Sequence, residues 1–339
     1  MKIMTYPDGE VVTTKYNNLM QPIILSNYVS DAMYDASGRI TLRTLGNGLT
    51  NDFLYYPWTV SGGRLKKMET GTLQDLTYTY DAVGNILGIT DAQGGETQVY
   101  TYDGLDRLSD WTMNDVMQDV YGYDPVTGNL NASGGVTLSY VDTSHVHAVT
   151  GMGGNAYTYD ANGNQVTRTI AGVTYTLGYD ADNRMVSVSG GGMNASFVYD
   201  GDGKRVLSTI NEVTTVFVGN HYEVRGSVVS KYYFLGGVRV AMKQAGVVYY
   251  PLTDHLGSTT ITTDAAGASV SELRYTPWGK TRFESGSSLM EYKFTGQYSN
   301  DSDFGLYFYN ARWYDAGLKH FSSPDSLIPD PSDTPMYSL

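Results

Sequence analysis

Three side chains with the chemistry of a hydrolase lie close together in this chain. Asp254, His255 and Ser258 are the acid, the base and the nucleophile that a catalytic triad requires. Triad members seldom fall within five consecutive residues, and these three have no nucleophile elbow around them. We therefore interpret Asp254 and His255 as residues that fix a tight turn at Gly257. The sequence predicts no catalytic residue in this cluster.

Two further clusters have the residue types of metal sites. DANGN (160–164) and DGDGK (200–204) resemble the first half of a calcium loop, but neither has the glutamate that closes such a loop. His145 and His147 would share one face of a strand, yet the sequence offers no third ligand nearby. We interpret the Asp-Gly clusters as hairpin turns and the histidines as a surface pair. The sequence predicts no metal ion and no cofactor.

A dense aromatic run surrounds Arg312 near the end of the chain. Tyr307, Phe308 and Tyr309 precede it, and Trp313 and Tyr314 follow it. Such a run is typical of a ligand site or of a packed cap in which the guanidinium lies over an aromatic ring. We favour the packed cap.

Tyrosines recur along the middle of the chain at steps of 17 to 24 residues. The nine members of this series are Tyr34, Tyr56, Tyr80, Tyr102, Tyr123, Tyr140, Tyr159, Tyr179 and Tyr199. Seven of them are followed directly by aspartate, at Asp35, Asp81, Asp103, Asp124, Asp160, Asp180 and Asp200. A fixed period of this size indicates a repeat architecture, in which function belongs to a surface that the repeats build together.

Each repeat has the pattern of two short strands and two turns. Thr77–Tyr80, Ile86–Thr90 and Gln98–Tyr102 alternate in the manner of strands. In the turn between the first two, the aspartate can accept backbone N–H bonds and Gly84 can adopt a positive φ, as we expect also at Gly163 and Gly203. The best helical candidate, 109–120, is short and β-branched. We predict an all-β fold of antiparallel hairpins in a spiralling sheet, with ring-stacked tyrosines and hydrated hydroxyls.

Composition excludes several classes of partner. The net charge is −13 and no basic run is present, so we expect no nucleic-acid or anionic-lipid binding. No apolar run approaches the length of a membrane span, and the first residues show no signal peptide. The chain has no cysteine, which leaves the compartment open.

The repeats and the motifs that follow them resemble a known family. Copies such as YDAVGN and YDANGN are succeeded by DHLGS (254–258), YTPWG (275–279), FTGQY (294–298) and GLYFYNARWYD (305–315). This order resembles Rhs-type YD repeats followed by the Rhs repeat-associated core. The core positions that match are Asp254, His255, Gly257, Pro277, Gly279, Gly296, Arg312, Tyr314 and Asp315.

The resemblance implies both an architecture and a role. In the family the repeats form a β-sheet shell (or cocoon) that encloses a C-terminal toxin or closes on a plug, and the core caps one end. It implies a repeat region at 1–212, a core at 213–326 and an extended Pro-rich tail at 327–339. The expected partners are a polypeptide cargo or neighbouring shell segments, and the expected location is secreted or at the cell surface.

Many members of the family also cut their own chain after the core. Asp325 matches the aspartate of the family's S-P-D element, and the resemblance places Arg312 near the cutting centre. The chemistry needs two carboxylates that share a proton. The segment that would carry the partner aspartate is absent from this sequence, so we expect no self-cleavage and no enzymatic activity.

Two alternative functions remain open at this point. Exposed tyrosines on the repeats could bind carbohydrate, which would make the protein a surface adhesin. Unpaired strand edges could also join chains head to tail into a filament.

Overall fold

The computed structural model describes residues 1–287 and 289–325. Nearly all of the regular structure is antiparallel β, and most strands pair with their neighbours in sequence. Strands β1–β29 are assigned to one sheet and β30–β33 to a second. The predicted all-β fold is confirmed.

Two compact units divide the chain. Unit 1 comprises Met1–Met117, Asn220–Thr276 and Thr281–Gly296. Unit 2 comprises Gln118–Gly219, Pro277–Lys280 and the described part of 297–339. Each unit combines repeats with segments of the core motif, and the boundary expected at 212/213 stays a prediction.

Unit 1 contains the first eleven strands and seven strands of the core. The early strands are β1 (Lys2–Thr5), β2 (Val11–Tyr16), β3 (Pro22–Leu25), β4 (Val29–Tyr34), β5 (Ile40–Leu45), β6 (Thr50–Tyr55), β7 (Leu65–Thr70), β8 (Gln74–Tyr80), β9 (Ile86–Asp91), β10 (Glu96–Tyr102) and β11 (Leu108–Met113). The later strands are β23 (Tyr222–Arg225), β24 (Val228–Leu235), β25 (Val238–Gln244), β26 (Val247–Thr253), β27 (Thr259–Thr263), β28 (Ser269–Tyr275) and β29 (Thr281–Gly286). Short 3₁₀ turns lie at Ser61–Gly63 and Phe294–Gly296.

Unit 2 contains the later repeats and the last hairpins. Its strands are β12 (Val116–Tyr123, which begins in unit 1), β13 (Leu130–Ser133), β14 (Val136–Ser139), β15 (Gly151–Met152), β16 (Asn155–Tyr159), β17 (Gln165–Ile170), β18 (Val173–Tyr179), β19 (Met185–Gly190), β20 (Met193–Tyr199), β21 (Arg205–Ile210), β22 (Val213–Val218), β30 (Tyr298–Asn300), β31 (Leu306–Tyr309), β32 (Arg312–Asp315) and β33 (His320–Phe321). A single-turn helix, α1, spans Asp301–Phe304. No helix of the described residues could span a bilayer.

Side-chain alternation explains why these segments are strands. In β8, the residues Gln74, Leu76 and Tyr78 are buried, whereas Thr79 is exposed. The segment 109–120, which was the best helical candidate, forms β11 and the start of β12, as its β-branched content predicts.

A β-bulge precedes the repeat tyrosine in strand after strand. The pairing register shifts between Thr79 and Tyr80, between Thr101 and Tyr102, and between Val198 and Tyr199. A bulge adds one residue to one strand and turns the following side chain. The tyrosine therefore has a different orientation from the one that simple alternation would give it.

The core of unit 1 joins the first repeats to the core strands. Tyr6, Val12, Leu25, Tyr28, Val29, Ala32 and Leu45 pack in one buried cluster with Tyr222, Tyr233, Leu235, Val240, Ala241, Tyr250 and Leu252. The rings of Tyr28 and Tyr233 stack with their centroids 3.6 Å apart. Residues more than 200 positions apart in sequence thus share one hydrophobic core.

Candidate functional site

The Tyr-Asp motif forms a hydrogen-bonded turn. The Oδ1 atom of Asp81 accepts hydrogen bonds from the N–H groups of Val83, Gly84 and Asn85, at 3.0, 2.6 and 2.8 Å. Burial opposes the charged carboxylate, but these bonds outweigh it and hold the pKa of Asp81 below its ordinary value. Gly84 has φ +115°, which confirms the positive φ predicted there.

The two calcium-like clusters have the same turn geometry. Asp160 accepts from the backbone of Asn162 and Asn164. Asp200 accepts from the backbone of Asp202 and Lys204. These oxygens bond to their own turns, and no three His, Asp or Glu side chains in the described residues are grouped to hold a metal ion.

In several repeats the residue that closes the turn, usually four positions after the aspartate, links its turn to the next turn. Arg64, at the corresponding position of its own turn, donates through Nη2 to the carbonyl of Val83 at 2.9 Å. Asn85 donates to Asp106 at 2.9 Å, and Asn164 donates to Asn183 at 2.8 Å. Sequence reasoning missed this link. Its signal was present, because the position holds Arg or Asn in most copies.

Repeat tyrosines donate their hydroxyls to a backbone carbonyl of the preceding strands. The bonds are Tyr34 to Pro22, Tyr55 to Ile40, Tyr80 to Leu65, Tyr102 to Ile86, Tyr140 to Leu130, Tyr159 to Val149 and Tyr199 to Met185, all at 2.7–2.9 Å. We call each of these bonds a tyrosine latch. The proton of each of these hydroxyls is therefore donated to the backbone, and hydration of the hydroxyl oxygens stays a prediction. Tyr179 differs, since its hydroxyl lies 3.5 Å from the carbonyl of Ser322.

One tyrosine of the predicted series is displaced by a single residue. Tyr55, rather than Tyr56, follows the bulge and makes the latch. The N–H of Tyr56 bonds to the carbonyl of Arg64, which is the role that aspartate N–H groups have in other repeats. The ring of Tyr56 meets Tyr80 edge-on, with centroids 6.3 Å apart, rather than in a parallel stack.

Four contacts fasten the early repeats to the core strands of unit 1. Lys231 bonds to Asp8 at 2.6 Å and also to Glu10, and Asn47 donates to Thr263 at 3.0 Å. Gln74 donates to the carbonyl of Thr253 at 3.0 Å. Glu96 accepts from both Arg274 and Arg282. These contacts join the early repeats to the core strands at four places in unit 1.

The DHLGS segment is a turn in which the side chains bond to backbone. Asp254 accepts from the N–H groups of Leu256 and Ser258, at 2.9 and 2.8 Å, and Gly257 has φ +80°. The hydroxyl of Ser258 accepts from the N–H of Thr295 at 3.0 Å, next to Gly296. Burial raises the pKa of Asp254 and lowers that of His255. Both shifts favour the neutral forms, and the geometry is that of a turn rather than a proton relay.

The YTPWG and RWYD motifs meet in unit 2. The hydroxyl of Tyr314 donates to the carbonyl of Trp278 at 2.9 Å, and that of Tyr307 donates to Gly279 at 3.3 Å. The turn that begins at Pro277 is thus held by the last hairpin. Asp315, at the end of the motif, pairs with Arg168 at 2.7 Å. Both side chains are almost fully buried, and nothing in the local sequence indicated Arg168 as the partner.

The two candidates for self-cleavage lie together. Nη2 of Arg312 is 2.9 Å from Oδ2 of Asp325, and its guanidinium carbon lies 3.9 Å from the ring centre of Phe321. The cation–π contact expected at Arg312 is therefore present. Asp330 and Asp333, the nearest further carboxylates in sequence, fall outside the described residues.

His145 and His147 lie in the loop between β14 and β15, so the strand face predicted for them is wrong. Nδ1 of His145 is 2.9 Å from Asp142, and Nδ1 of His147 is 2.6 Å from the amide oxygen of Asn129. Each imidazole therefore has its own partner. The loop is irregular because it crosses between hairpins without a ladder partner for residues 140–150.

Two family models match segments of the sequence. Residues 80–112 match the RHS repeat family, and residues 221–338 match the teneurin YD-shell family. These segments are Rhs/YD-repeat shell sequence. The predicted resemblance is confirmed for both the repeats and the core.

Two curated relatives are named as a nuclease and as a deaminase toxin. The tRNA3(Ser)-specific nuclease WapA of Bacillus spizizenii is 28% identical over 281 residues, which is 79% of this chain and 10% of that protein. The double-stranded DNA deaminase toxin A of Burkholderia cenocepacia is 24% identical over 320 residues, 87% of this chain and 19% of that protein. This chain thus spans between a tenth and a fifth of their length.

Solved structures share the fold of these Rhs/YD segments. The crystal structure of TcdB2-TccC3-Cdc42 superposes with a TM-score of 0.76 at 19% identity, over 94% of this chain and 19% of that chain. TcdB2-TccC3-TEV superposes with a TM-score of 0.77 at 20% identity, over 96% of this chain and 20% of that chain.

Proposed function

We propose that this chain is a structural shell segment of an Rhs/YD-repeat protein and that the shell encloses a polypeptide, toxin-like cargo. The observation that carries the proposal is the fold match to TcdB2-TccC3-Cdc42 over 94% of the chain. The relatives named as a tRNA nuclease and a DNA deaminase toxin support a toxin as the cargo. We propose a secreted or cell-surface location on the same grounds.

The local geometry supports a structural role, as part of the wall of a shell, rather than a catalytic role. Tyrosine latches and turn-to-turn bonds fasten each hairpin to its neighbour, so strand edges are covered along the repeats. We propose that the hydrogen-bonded strands within each unit keep a protease from a polypeptide behind them. We propose that Asp325, which is paired with Arg312, has a structural role in this chain. Carbohydrate binding and head-to-tail association stay predictions without a contact that favours them.

Co-purification tests the proposal. The complete gene product would be made with a site for a specific protease inserted after Leu339, and then cut. We expect the downstream polypeptide to stay with the shell through gel filtration and to be released only in denaturant. Free elution of that polypeptide after the cut, from a folded shell, would overturn enclosure. Mass spectrometry of the uncut product and of its Asp325→Asn variant shows in addition whether any natural cut depends on Asp325.

A further inference from the structure

A small cavity of about 10 Å³ in unit 1 is lined by a row of buried polar side chains. The row crosses four adjacent strands, with Arg43 on β5, Asn51 on β6, Thr70 on β7 and Gln74 on β8. The register pairs Arg43 with Asn51 and Thr70 with Gln74, and Nδ2 of Asn51 donates to the hydroxyl of Thr70 at 2.8 Å. All four residues are more than nine-tenths buried. Buried polar groups of this kind require partners that satisfy them.

Arg43 brings a positive charge into this row. Its Nε donates to Oδ1 of Asn51 at 3.1 Å, and no other hydrogen bond or ion pair joins Arg43 to the described residues. Its guanidinium carbon lies 5.7 Å from the ring centre of Phe53, which also lines the cavity. Burial lowers the pKa of Arg43 to about 10, so the side chain is still charged at neutral pH. A guanidinium has five N–H donors, and the described residues use only one of them.

The two other arginines that are buried in the described residues have stronger partners. Arg168 pairs with Asp315 at 2.7 Å. The guanidinium carbon of Arg205 lies 4.2 Å from the ring centre of Phe308, and four further aromatic rings surround it. Arg43 has a single ring at a longer distance and no carboxylate. Burial of a charge without an opposite charge is unfavourable, so the row requires an anion.

The acidic residues beside the cavity do not supply that negative charge. Asp52 and Glu69 border the cavity, but Asp52 directly follows Asn51 and Glu69 directly precedes Thr70. Successive side chains of a strand point to opposite faces of the sheet, so the two carboxylates belong to the face opposite the row. On that face Asp52 is exposed and Glu69 bonds to Lys67 at 2.7 Å.

The donors and the volume of the cavity together define the class of ligand. The hydroxyl of Thr70 accepts the bond from Asn51, so its own proton can be donated to a ligand, as can the remaining N–H groups of Arg43. A cavity of this volume holds one particle of about the size of a water molecule. Water would leave the guanidinium charge unbalanced, and a carboxylate or a phosphate is too large. A single halide ion fits both the charge and the size.

We propose that the guanidinium of Arg43 and the hydroxyl of Thr70 bind one halide ion, which is chloride under biological conditions. The bond from Nε to Asn51 orients the guanidinium. Gln74, at the end of the row, donates to the carbonyl of Thr253 on β26 at 3.0 Å. The bound ion therefore stabilises the early repeats beside their contact with the core strands. The inference goes beyond the proposed shell function and does not depend on it.

The dependence of stability on chloride tests the site. The melting temperature of the full chain would be measured while sodium chloride replaces sodium gluconate at constant ionic strength, because gluconate is too large for the cavity. A ligand that binds only the folded state stabilises it, so a hundredfold increase in chloride should raise the melting temperature by a few degrees. Arg43→Met should abolish this rise. Lys15→Met, which removes an exposed positive charge from β2, is the matched control and should retain it.

Two results of this titration would overturn the proposal. One is a melting temperature of the wild-type protein that does not respond to the exchange of gluconate for chloride. The other is a rise of equal size in Arg43→Met, which would assign the response to a general salt effect.

Crystals of the wild-type protein grown in sodium bromide give a second measurement, which serves also if Arg43→Met fails to fold. Bromide can replace chloride and is located by its anomalous scattering. We expect an anomalous peak within hydrogen-bonding distance of Nη1 or Nη2 of Arg43. Bromide peaks confined to the protein surface, or a water molecule in the cavity in place of the halide, would overturn the proposal.

Discussion

At the scale of single residues, the tyrosine of each repeat works through its hydroxyl. The bond from Tyr102 to the carbonyl of Ile86, at 2.9 Å, crosses from one strand pair to the previous one. Burial raises the pKa of this hydroxyl, so it remains a donor at all ordinary pH values. A phenylalanine could fill the same space but could not make the bond.

Tyr102→Phe should therefore lower the free energy of unfolding by about 1 kcal/mol, because it removes a hydrogen bond and leaves its ring packing intact. Tyr175→Phe is the control, since the hydroxyl of Tyr175 makes no hydrogen bond in the described part of the chain. Denaturant titration gives both values. Equal stability of the two variants would contradict the latch.

The buried pair of Arg168 and Asp315 is the second residue-scale test. Their side chains are 4% and 6% exposed, so loss of one partner leaves a buried charge uncompensated. We expect Arg168→Met to cost about 3–5 kcal/mol. Arg225 is half exposed, so its ion pair contributes little to stability. Arg225→Met, which breaks that pair, should cost at most about 1 kcal/mol in the same denaturant titration. A small effect at Arg168 would show that the pair is dispensable.

Sequence reasoning succeeded at this scale where the signal was local. The turn aspartates and the positive φ at Gly84 follow from the residue types around them. The acceptors of the tyrosine latches could not be predicted, because a backbone carbonyl has no residue signature. Arg168 was missed because its partner is 147 positions away. Tyr55 and Tyr56 were confused because Tyr56, rather than an aspartate, follows the latch tyrosine.

At the scale of elements, equivalent turns are not equivalent in their surroundings. Gly163 and Gly203 have φ +84° and +76°, which confirms the positive φ predicted for both. A Cβ atom at Gly163 would lie 2.8 Å from Pro324, whereas the nearest atom at Gly203 is 3.6 Å away. The difference arises because the segment 320–324 crosses only the first of these turns.

Gly203→Ala should cost about 1 kcal/mol from the positive φ alone. Gly163→Ala should cost more, and it should also expose the bonds around Pro324 to protease, because the added methyl group pushes that segment away. Thermal unfolding with limited proteolysis and mass spectrometry measures both effects. Identical behaviour of the two variants would contradict the placement of Pro324.

The stability that the contact between the first hairpin and the core strands contributes should depend on pH. Burial acts to raise the pKa of Glu10, but hydrogen bonds from Lys231, Tyr28 and Tyr233 outweigh it and lower the pKa. A depressed carboxyl pKa contributes stability above the unfolded value of about 4.3 and loses it as the pH falls through the folded value. The melting temperature of the wild-type protein should therefore fall when the pH is lowered below about 4. In Lys231→Met the same change of pH should lower the melting temperature by less. Parallel curves for the two proteins would contradict this contact.

Strand positions were well predicted at the element scale. The strands predicted at Thr77–Tyr80, Ile86–Thr90 and Gln98–Tyr102 fall within β8, β9 and β10. Long-range packing was not predictable, because the contact between Tyr28 and Tyr233 joins residues 205 positions apart through shape rather than pattern. The bulges before the tyrosines were missed for the same reason, since one extra residue in a strand leaves the hydrophobic alternation almost unchanged.

At the scale of the whole molecule, the account rests on repeats that are fastened to one another and to the core. The early repeats bond to core hairpins in unit 1, and the last segment bonds to the middle repeats in unit 2. Since each repeat contacts its neighbours, a local defect should weaken the wall where it lies. In a shell that encloses a polypeptide, a protease should then gain access to the polypeptide at that position.

Protease protection of the enclosed polypeptide tests this claim most directly. The complete gene product would be treated with trypsin, and the survival of the region downstream of Leu339 followed by mass spectrometry. We expect that region to be protected in the wild-type protein and in Tyr175→Phe, and to be cut faster in a variant that combines Tyr80→Phe with Tyr102→Phe. Rapid digestion of the downstream region in the folded wild-type protein would contradict the account of this chain as part of an enclosing shell.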